Sequence, residues 1–152
     1  LNMKKLLLSF ILIVSVAAQA QILEPVKWST SIEKISENEF DLIATATIDA
    51  GWHVYSQSVP EYGPIPTTFV FEGSTNLLKK GNTKEGKGHE VYDKVFELDI
   101  KYFEDEAVFK QRIRLKTTDA FVVNGVVEFM VCNDTQCLPP NEVDLSFDIP
   151  KS

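Results

Sequence analysis

The plainest chemistry in this sequence belongs to two cysteines. Cys132 and Cys137 enclose Asn133-Asp134-Thr135-Gln136 and run into Leu138-Pro139-Pro140. Two thiols can form a stable disulfide, exchange it with another protein, or ligate a metal. In one straight strand, residues five apart lie about 17 Å from each other on opposite faces and could not bond. Asn133 and Asp134 favour a turn. If the intervening residues make a hairpin loop, the cysteines face each other across two antiparallel strands. Cα separations are then about 4.5–5.5 Å, inside the disulfide range. Two readings stay open on this evidence. One is a structural bridge in an exported binding or adaptor domain. The other is a bridge that exchanges with partner thiols. A small loop constrains the unfolded chain weakly, so stability is a poor reason for the bond. A short, exposed bridge suits exchange.

Alternation refines the picture. Val127, Phe129 and Val131 form the core face of the strand leading to Cys132, which turns Cys132 off that face with Glu128 and Met130. That orientation predicts a cysteine accessible to a partner. Regular pairing of 132 with 137 places Val143 opposite Val126 rather than core-type Val127; a bulge near Pro139-Pro140 restores the match.

Other chemistry is sparse. His53 and Tyr55 share one strand face in Gly51-Trp52-His53-Val54-Tyr55-Ser56. His53 reads either as a hydrogen-bonded strand residue or as a group that tunes a thiol. His53 and His89 lie in unrelated elements, and the spacing of histidines and cysteines fits no zinc finger or ribbon. Asn133-Asp134-Thr135 matches a glycosylation acceptor but reads as turn chemistry. There is no GxSxG, P-loop, GxGxxG or HExxH pattern and no spaced pair of catalytic carboxylates.

The elements that must position these residues are strands. Phe40, Leu42, Ala44, Ala46 and Ile48 alternate with mainly polar residues, as do Phe96, Leu98, Ile100 and Tyr102, and Val143, Leu145, Phe147 and Ile149. Phe109, Ile113 and Leu115 share a face, with Lys110, Arg112 and Arg114 on the other. Val26–Ile35, Trp52–Gln57, Thr67–Phe71 and Val122–Cys132 complete the set. No amphipathic helix competes. Seven to nine short strands predict an all-β fold, an antiparallel β-sandwich of immunoglobulin-like type. The polar, glycine-rich stretch Asn82–Glu90 predicts a mobile loop.

The first twenty residues read as an address. Met3-Lys4-Lys5 is a positive n-region, Leu6–Ala18 an apolar h-region, and Ala18-Gln19-Ala20 a cleavage site. Leu1 and Asn2 precede the expected initiator, and the domain runs from 21 to 152. A disulfide persists in such an exported compartment, periplasmic or exterior. The mature chain carries 13 basic and 22 acidic side chains, net −9, which argues against nucleic acid as a partner. No second apolar run is long enough to span a membrane.

The aromatic strand at 51–56, together with Gly125-Val126-Val127-Glu128-Phe129 leading into Cys132-x4-Cys137-Leu138-Pro139-Pro140, resembles the N-terminal periplasmic domain of the thiol:disulfide interchange protein DsbD. The similarity covers roughly Val26 to Ile149. It implies an immunoglobulin-like sandwich in the periplasm whose cysteines cycle between dithiol and disulfide. Electrons arrive from a membrane partner through a thioredoxin-like domain. They leave to thioredoxin-like periplasmic proteins, including those of cytochrome maturation. By resemblance Cys137 forms the mixed disulfide and Cys132 resolves it, while His53 and Tyr55 match two aromatic positions beside the pair. No metal or organic cofactor is implied, since the two sulfurs carry both electrons. Two departures stand out. His53 replaces a Tyr of the best-known members. The stretch matching the family's shielding cap loop, roughly Thr83–Lys94, has Tyr92 as its one large aromatic and lacks the family's Phe. The chain ends at Ser152 without a membrane domain, as expected of a stand-alone relative or of one domain's worth of a larger protein.

Overall fold

A computed structural model describes residues 22–152; the expected leader peptide and its cleavage site lie outside the described residues. Eleven strands follow in order: β1 Val26–Lys34, β2 Glu39–Ile48, β3 His53–Tyr55, β4 Thr68–Phe71, β5 Leu77–Glu85, β6 His89–Asp93, β7 Leu98–Phe103, β8 Glu106–Leu115, β9 Phe121–Phe129, β10 Val131–Cys132 and β11 Asn141–Ile149. There is no helix among the described residues. All pairings are antiparallel. One sheet has the order β1-β2-β8-β5, a second β10-β3-β7-β6, and a third β11-β9-β4. The first sheet packs across a common core from the other two, giving the immunoglobulin-like sandwich expected from the alternation.

That core is built by the predicted faces. Phe40, Leu42, Ala44, Ala46 and Ile48 of β2 meet Phe109, Ile113 and Leu115 of β8, with Val127, Phe129, Leu145, Phe147 and Ile149 from the opposite layer. Each side chain is buried because its strand places every second residue inward. Gln111 sits on the inward face of β8 and is also buried. Its amide Nε2 donates to the carbonyls of Gly81 (3.2 Å) and Arg112 (2.9 Å), and its Oε1 accepts from the Thr83 hydroxyl (2.9 Å). These bonds tie β8 to the irregular middle of β5, where the register shifts between Lys80 and Lys84.

The stretch Asn82–Glu90 is not a loop. It contains the end of β5, a turn at 86–88 and the start of β6. Its polarity reflects edge strands that expose side chains, not absence of pairing: Lys84 and Glu85 pair with β8, and His89 and Glu90 with β7. The turn carries the chain from the first sheet to the second. Gly88 makes this close passage at φ +61°, and a Cβ there would come within 2.8 Å of the Tyr102 carbonyl.

The bulge foreseen at the two prolines is present. Leu138 N–H donates to Val131 O, and Cys132 bridges to Cys137, whereas Asn141 pairs with Phe129 and Val143 with Val127. Between these registers the returning strand spends three residues where its partner spends two. The extra residue falls at Pro139-Pro140, which cannot donate to a ladder.

Candidate functional site: a disulfide in a second apolar cluster

β3 and β10 place the cysteines. Val131 pairs with Val54 and Cys132 with His53, while Val54 pairs with Phe103 and Tyr55 with Tyr102. Alternation sends Val54, Phe103 and Val131 into the main core. His53, Tyr55, Tyr102 and Cys132 face the other way. This second face is apolar too. Tyr55, Ile100 and Cys132 form a small buried cluster, flanked by Val59, Phe96, Leu98, Tyr102, Met130 and Cys137.

Cys132 and Cys137 are joined, with Cα atoms 4.0 Å apart. Asn133 N–H donates to Gln136 O and Leu138 N–H to Val131 O. The cysteines therefore occupy the narrow pair between two hydrogen-bonded pairs, where cross-strand side chains approach most closely. The loop is closed from within. Asn133 Oδ1 accepts the backbone N–H of Thr135 (2.9 Å) and of Gln136 (2.8 Å), the Asx-type turn its residue types predict.

One expectation fails. Cys132 does lie off the main core face, but it is only 2 % exposed rather than open to a partner. The face it turns to is covered by a cluster that includes Tyr55, Phe96 from the chain joining β6 to β7, and Leu98 at the start of β7. Cys137, one loop further on, is half-buried. The two sulfurs thus differ in access: one sits inside the cluster and the other at its rim.

His53 and Tyr55 lie where the strand face predicts. His53 Nε2 and Tyr55 Oη share a hydrogen bond of 3.0 Å. The imidazole also packs against the Tyr102 ring, with centroids 4.6 Å apart. Burial holds His53 below its usual pKa, opposed by the carboxylates of Asp93, Glu104 and Asp134. Burial also pushes the Tyr55 phenol well above its usual range, and the Tyr102 phenol upward. At neutral pH the site therefore holds a neutral imidazole between two protonated phenols. A cleft of about 420 Å³ opens beside it, lined by His53, Tyr92, Asp93, Tyr102, Glu104 and Asp134 among others.

The end of β3 is anchored by polar contacts. The buried Thr67 hydroxyl donates to Tyr55 O at 2.5 Å. Glu85 accepts from the Ser56 hydroxyl (2.5 Å) and the Gln57 N–H (3.0 Å), and pairs with Lys101 at 3.3 Å. These contacts fix the backbone that carries Tyr55 under the cysteines.

Ile100, Tyr102, Phe96 and Met130 belong to the site, although the sequence marks the first three only as one face of a strand. A signal was present. Val54-Tyr55, Tyr102-Phe103 and Val131-Cys132 each put large or apolar residues on both faces of a short strand, which demands a second cover. The cap-loop comparison also shifts. Tyr92 is largely exposed. Phe96, just beyond the matching stretch, is the aromatic that packs on the cluster, with its ring 6.4 Å from that of Tyr55.

Fold and site together define an immunoglobulin-like sandwich with a disulfide set in its own apolar cluster at a strand end, apart from the inter-sheet core. The chain belongs to the family described as thiol:disulfide interchange protein DsbD, N-terminal, whose pattern it matches over residues 19–148. Among solved structures it is similar to the reduced DsbD N-terminal domain of Neisseria meningitidis, with 19 % identity and TM-score 0.53 over 85 % of this chain and 90 % of that one. The N-terminal periplasmic domain of ScsB from Proteus mirabilis gives 16 % identity and TM-score 0.53, over 84 % of this chain and 49 % of that one. The complex between the DsbD and PilB N-terminal domains of Neisseria meningitidis gives 16 % and 0.52, over 86 % and 88 %. None of the curated proteins matches the chain in sequence.

Proposed function

We propose that the Cys132–Cys137 pair exchanges disulfides with thioredoxin-like proteins of the periplasm, carrying reducing equivalents supplied from a membrane electron-transfer partner. The observation that carries this reading is the unequal access of the two sulfurs: Cys137 half-buried at the rim, Cys132 enclosed. An attacking thiolate from a donor meets Cys137 Sγ. The Cys132–Cys137 bond breaks as the intermolecular S–S bond forms, and Cys132 leaves as a thiolate. The donor's second thiolate then displaces Cys137, so the donor leaves oxidised and the domain holds the dithiol. Towards an acceptor the steps reverse: the Cys137 thiolate attacks, and Cys132 resolves the mixed disulfide. His53 and Tyr55 position and tune the pair through burial and their shared hydrogen bond. The solved DsbD–PilB complex supports a protein partner of this kind. Export through removal of residues 1–20, leaving a domain over 21–152, belongs to the same proposal; intact-mass measurement should find Gln21 at the N-terminus.

Redox equilibration with a thioredoxin-like protein tests the reading. A bridge that exchanges should equilibrate and give a potential above roughly −300 mV. A potential below that, with resistance to the thioredoxin-like protein, would assign the bond a structural role in an adaptor domain.

A further inference from the structure

The outward face of the first sheet has a charge pattern that the disulfide chemistry does not use. On β8 and β5, Lys110 lies directly opposite Lys84, and Arg112 directly opposite Lys80. Like charges in opposed positions of an antiparallel pair are destabilising. Here two such pairs occur side by side at the register shift in β5, in a chain that is otherwise strongly acidic. Between them lies a cleft of about 360 Å³, lined by Asp41, Lys80, Gly81, Asn82, Lys84, Lys110 and Arg112. The bulge makes the space. Gly81 sits at φ +69°, and a Cβ there would meet nothing within 4 Å.

Counter-charges from neighbouring strands satisfy this group incompletely. Asp41 takes Arg112 through both carboxylate oxygens, at 2.5 and 3.1 Å. Glu39 takes Lys80 at 2.7 Å and Arg114 at 3.2 Å, and Glu33 takes Lys110 at 3.3 Å on an exposed edge. Lys84 forms no ion pair among the described residues. Lys80, Lys110 and Arg112 thus have carboxylate partners, and across the patch five cations (Lys80, Lys84, Lys110, Arg112, Arg114) meet three carboxylates (Glu33, Glu39, Asp41). Asp41 is the one carboxylate in the cleft's lining. The hydrogen bond from Arg112 is the largest influence holding that carboxylate below its usual pKa, and Lys110 and Lys84 add to it. Three ammonium groups and a guanidinium anchored by Asp41 surround a space that an oxyanion would fill, giving Lys84 the ionic partner it lacks among the described residues and adding to the exposed pairs of Lys80 and Lys110.

We propose that this cleft binds a phosphate group through Lys80, Lys84 and Lys110, with Arg112 held in place by Asp41. The cleft lies on the opposite side of the core from the cysteine cluster, because β8 and β7 each turn their other face inward. It is therefore a second site, independent of the exchange reading.

The test uses the mature protein and amide chemical shifts. Inorganic phosphate is titrated against chloride at constant ionic strength. A second arm measures co-sedimentation with phosphatidylglycerol vesicles against phosphatidylcholine vesicles. Phosphate should give saturable shifts at Gly81, Asn82, Lys84 and Lys110, and the double variant Lys84→Gln/Lys110→Gln should bind about tenfold more weakly or worse. Removing two opposed cations relieves repulsion, so that variant should keep the native circular dichroism spectrum and melting temperature. Saturable phosphate binding without vesicle binding assigns a soluble phosphate. Phosphatidylglycerol binding that phosphate displaces assigns a lipid headgroup. Shifts that never saturate and match those with chloride, together with no vesicle preference, would overturn the site. Binding unaffected in the double variant would overturn it equally.

Discussion

Reducing the disulfide should leave a folded, slightly less stable domain, and the size of the loss follows from the loop. The bond joins residues five apart in sequence. The chain-entropy relation for so short a loop gives about 2 kcal/mol at 25 °C, less than the roughly 3 kcal/mol of a fifteen-residue loop. The main core contributes none of its packing to the bond: Phe40, Leu42, Phe109, Phe129 and Phe147 belong to a different cluster from Cys132. A domain of this size has a stability of roughly 5–15 kcal/mol, so the reduced form stays folded. With an unfolding entropy of about 2.1 cal/mol/K per residue, the loss translates into a melting temperature about 7 °C lower. Differential scanning calorimetry of the oxidised and reduced protein, with thiol labelling to confirm each state, measures it. Two sharp transitions separated by about 7 °C are expected. Loss of the cooperative transition on reduction would refute the reasoning and make the bond structural.

The neutral state of His53 gives a pH prediction. Its folded pKa lies below the ordinary value of 6.5, with burial as the largest cause, and the carboxylates facing it are Asp93, Glu104 and Asp134. The unfolded chain takes up the proton first, so this contribution to stability is full above about pH 6.5 and falls as pH drops towards the folded pKa. Stability measured by urea unfolding should show that decline, and His53→Asn should flatten it; an unchanged profile would place the titration elsewhere. His53→Ala should also alter the pH dependence of exchange while the far-ultraviolet spectrum stays native. Phe96→Ala opens the cover of the cluster, and oxidation of the dithiol by glutathione disulfide should accelerate; an unchanged rate would show that Phe96 does not shield. Gln111→Ala strands the carbonyls of Gly81 and Arg112 and the Thr83 hydroxyl, and should cost about 1–3 kcal/mol in urea unfolding with an unchanged slope.

Much of the fold is legible because its strands bury one face each. β2, β8 and β11 have strict alternation, and every apolar position on their marked faces reaches the interior or its margin. The bulge at Pro139-Pro140 was legible for a related reason, since a one-residue slip would have turned Val143 away from Val127. β5 and β6 were not legible. They are edge strands with polar side chains, so their hydrogen bonds leave no apolar period to read. The small sheet around the cysteines was half legible. His53 and Tyr55 were read on one face of their strand and Cys132 off the core face of its own, and both placements hold, but period-2 reasoning assigns a single buried face per strand. It therefore read the face that carries Cys132 as solvent, where a second apolar cluster that includes Phe96 and Leu98 instead encloses it. Which sulfur is accessible depended on that tertiary cover and could not be read from spacing.

The central claim is that Cys137 meets partners and Cys132 resolves the adduct. Trapping with the two serine variants tests it most directly. Each variant is mixed with an oxidised thioredoxin-like periplasmic protein, and the products are separated by non-reducing electrophoresis. Cys132→Ser removes the resolving thiol, so a mixed disulfide through Cys137 should accumulate, whereas Cys137→Ser leaves only the enclosed Cys132 and should trap far less. Equal trapping by both variants would contradict the assigned roles, and no trapping by either would contradict exchange itself.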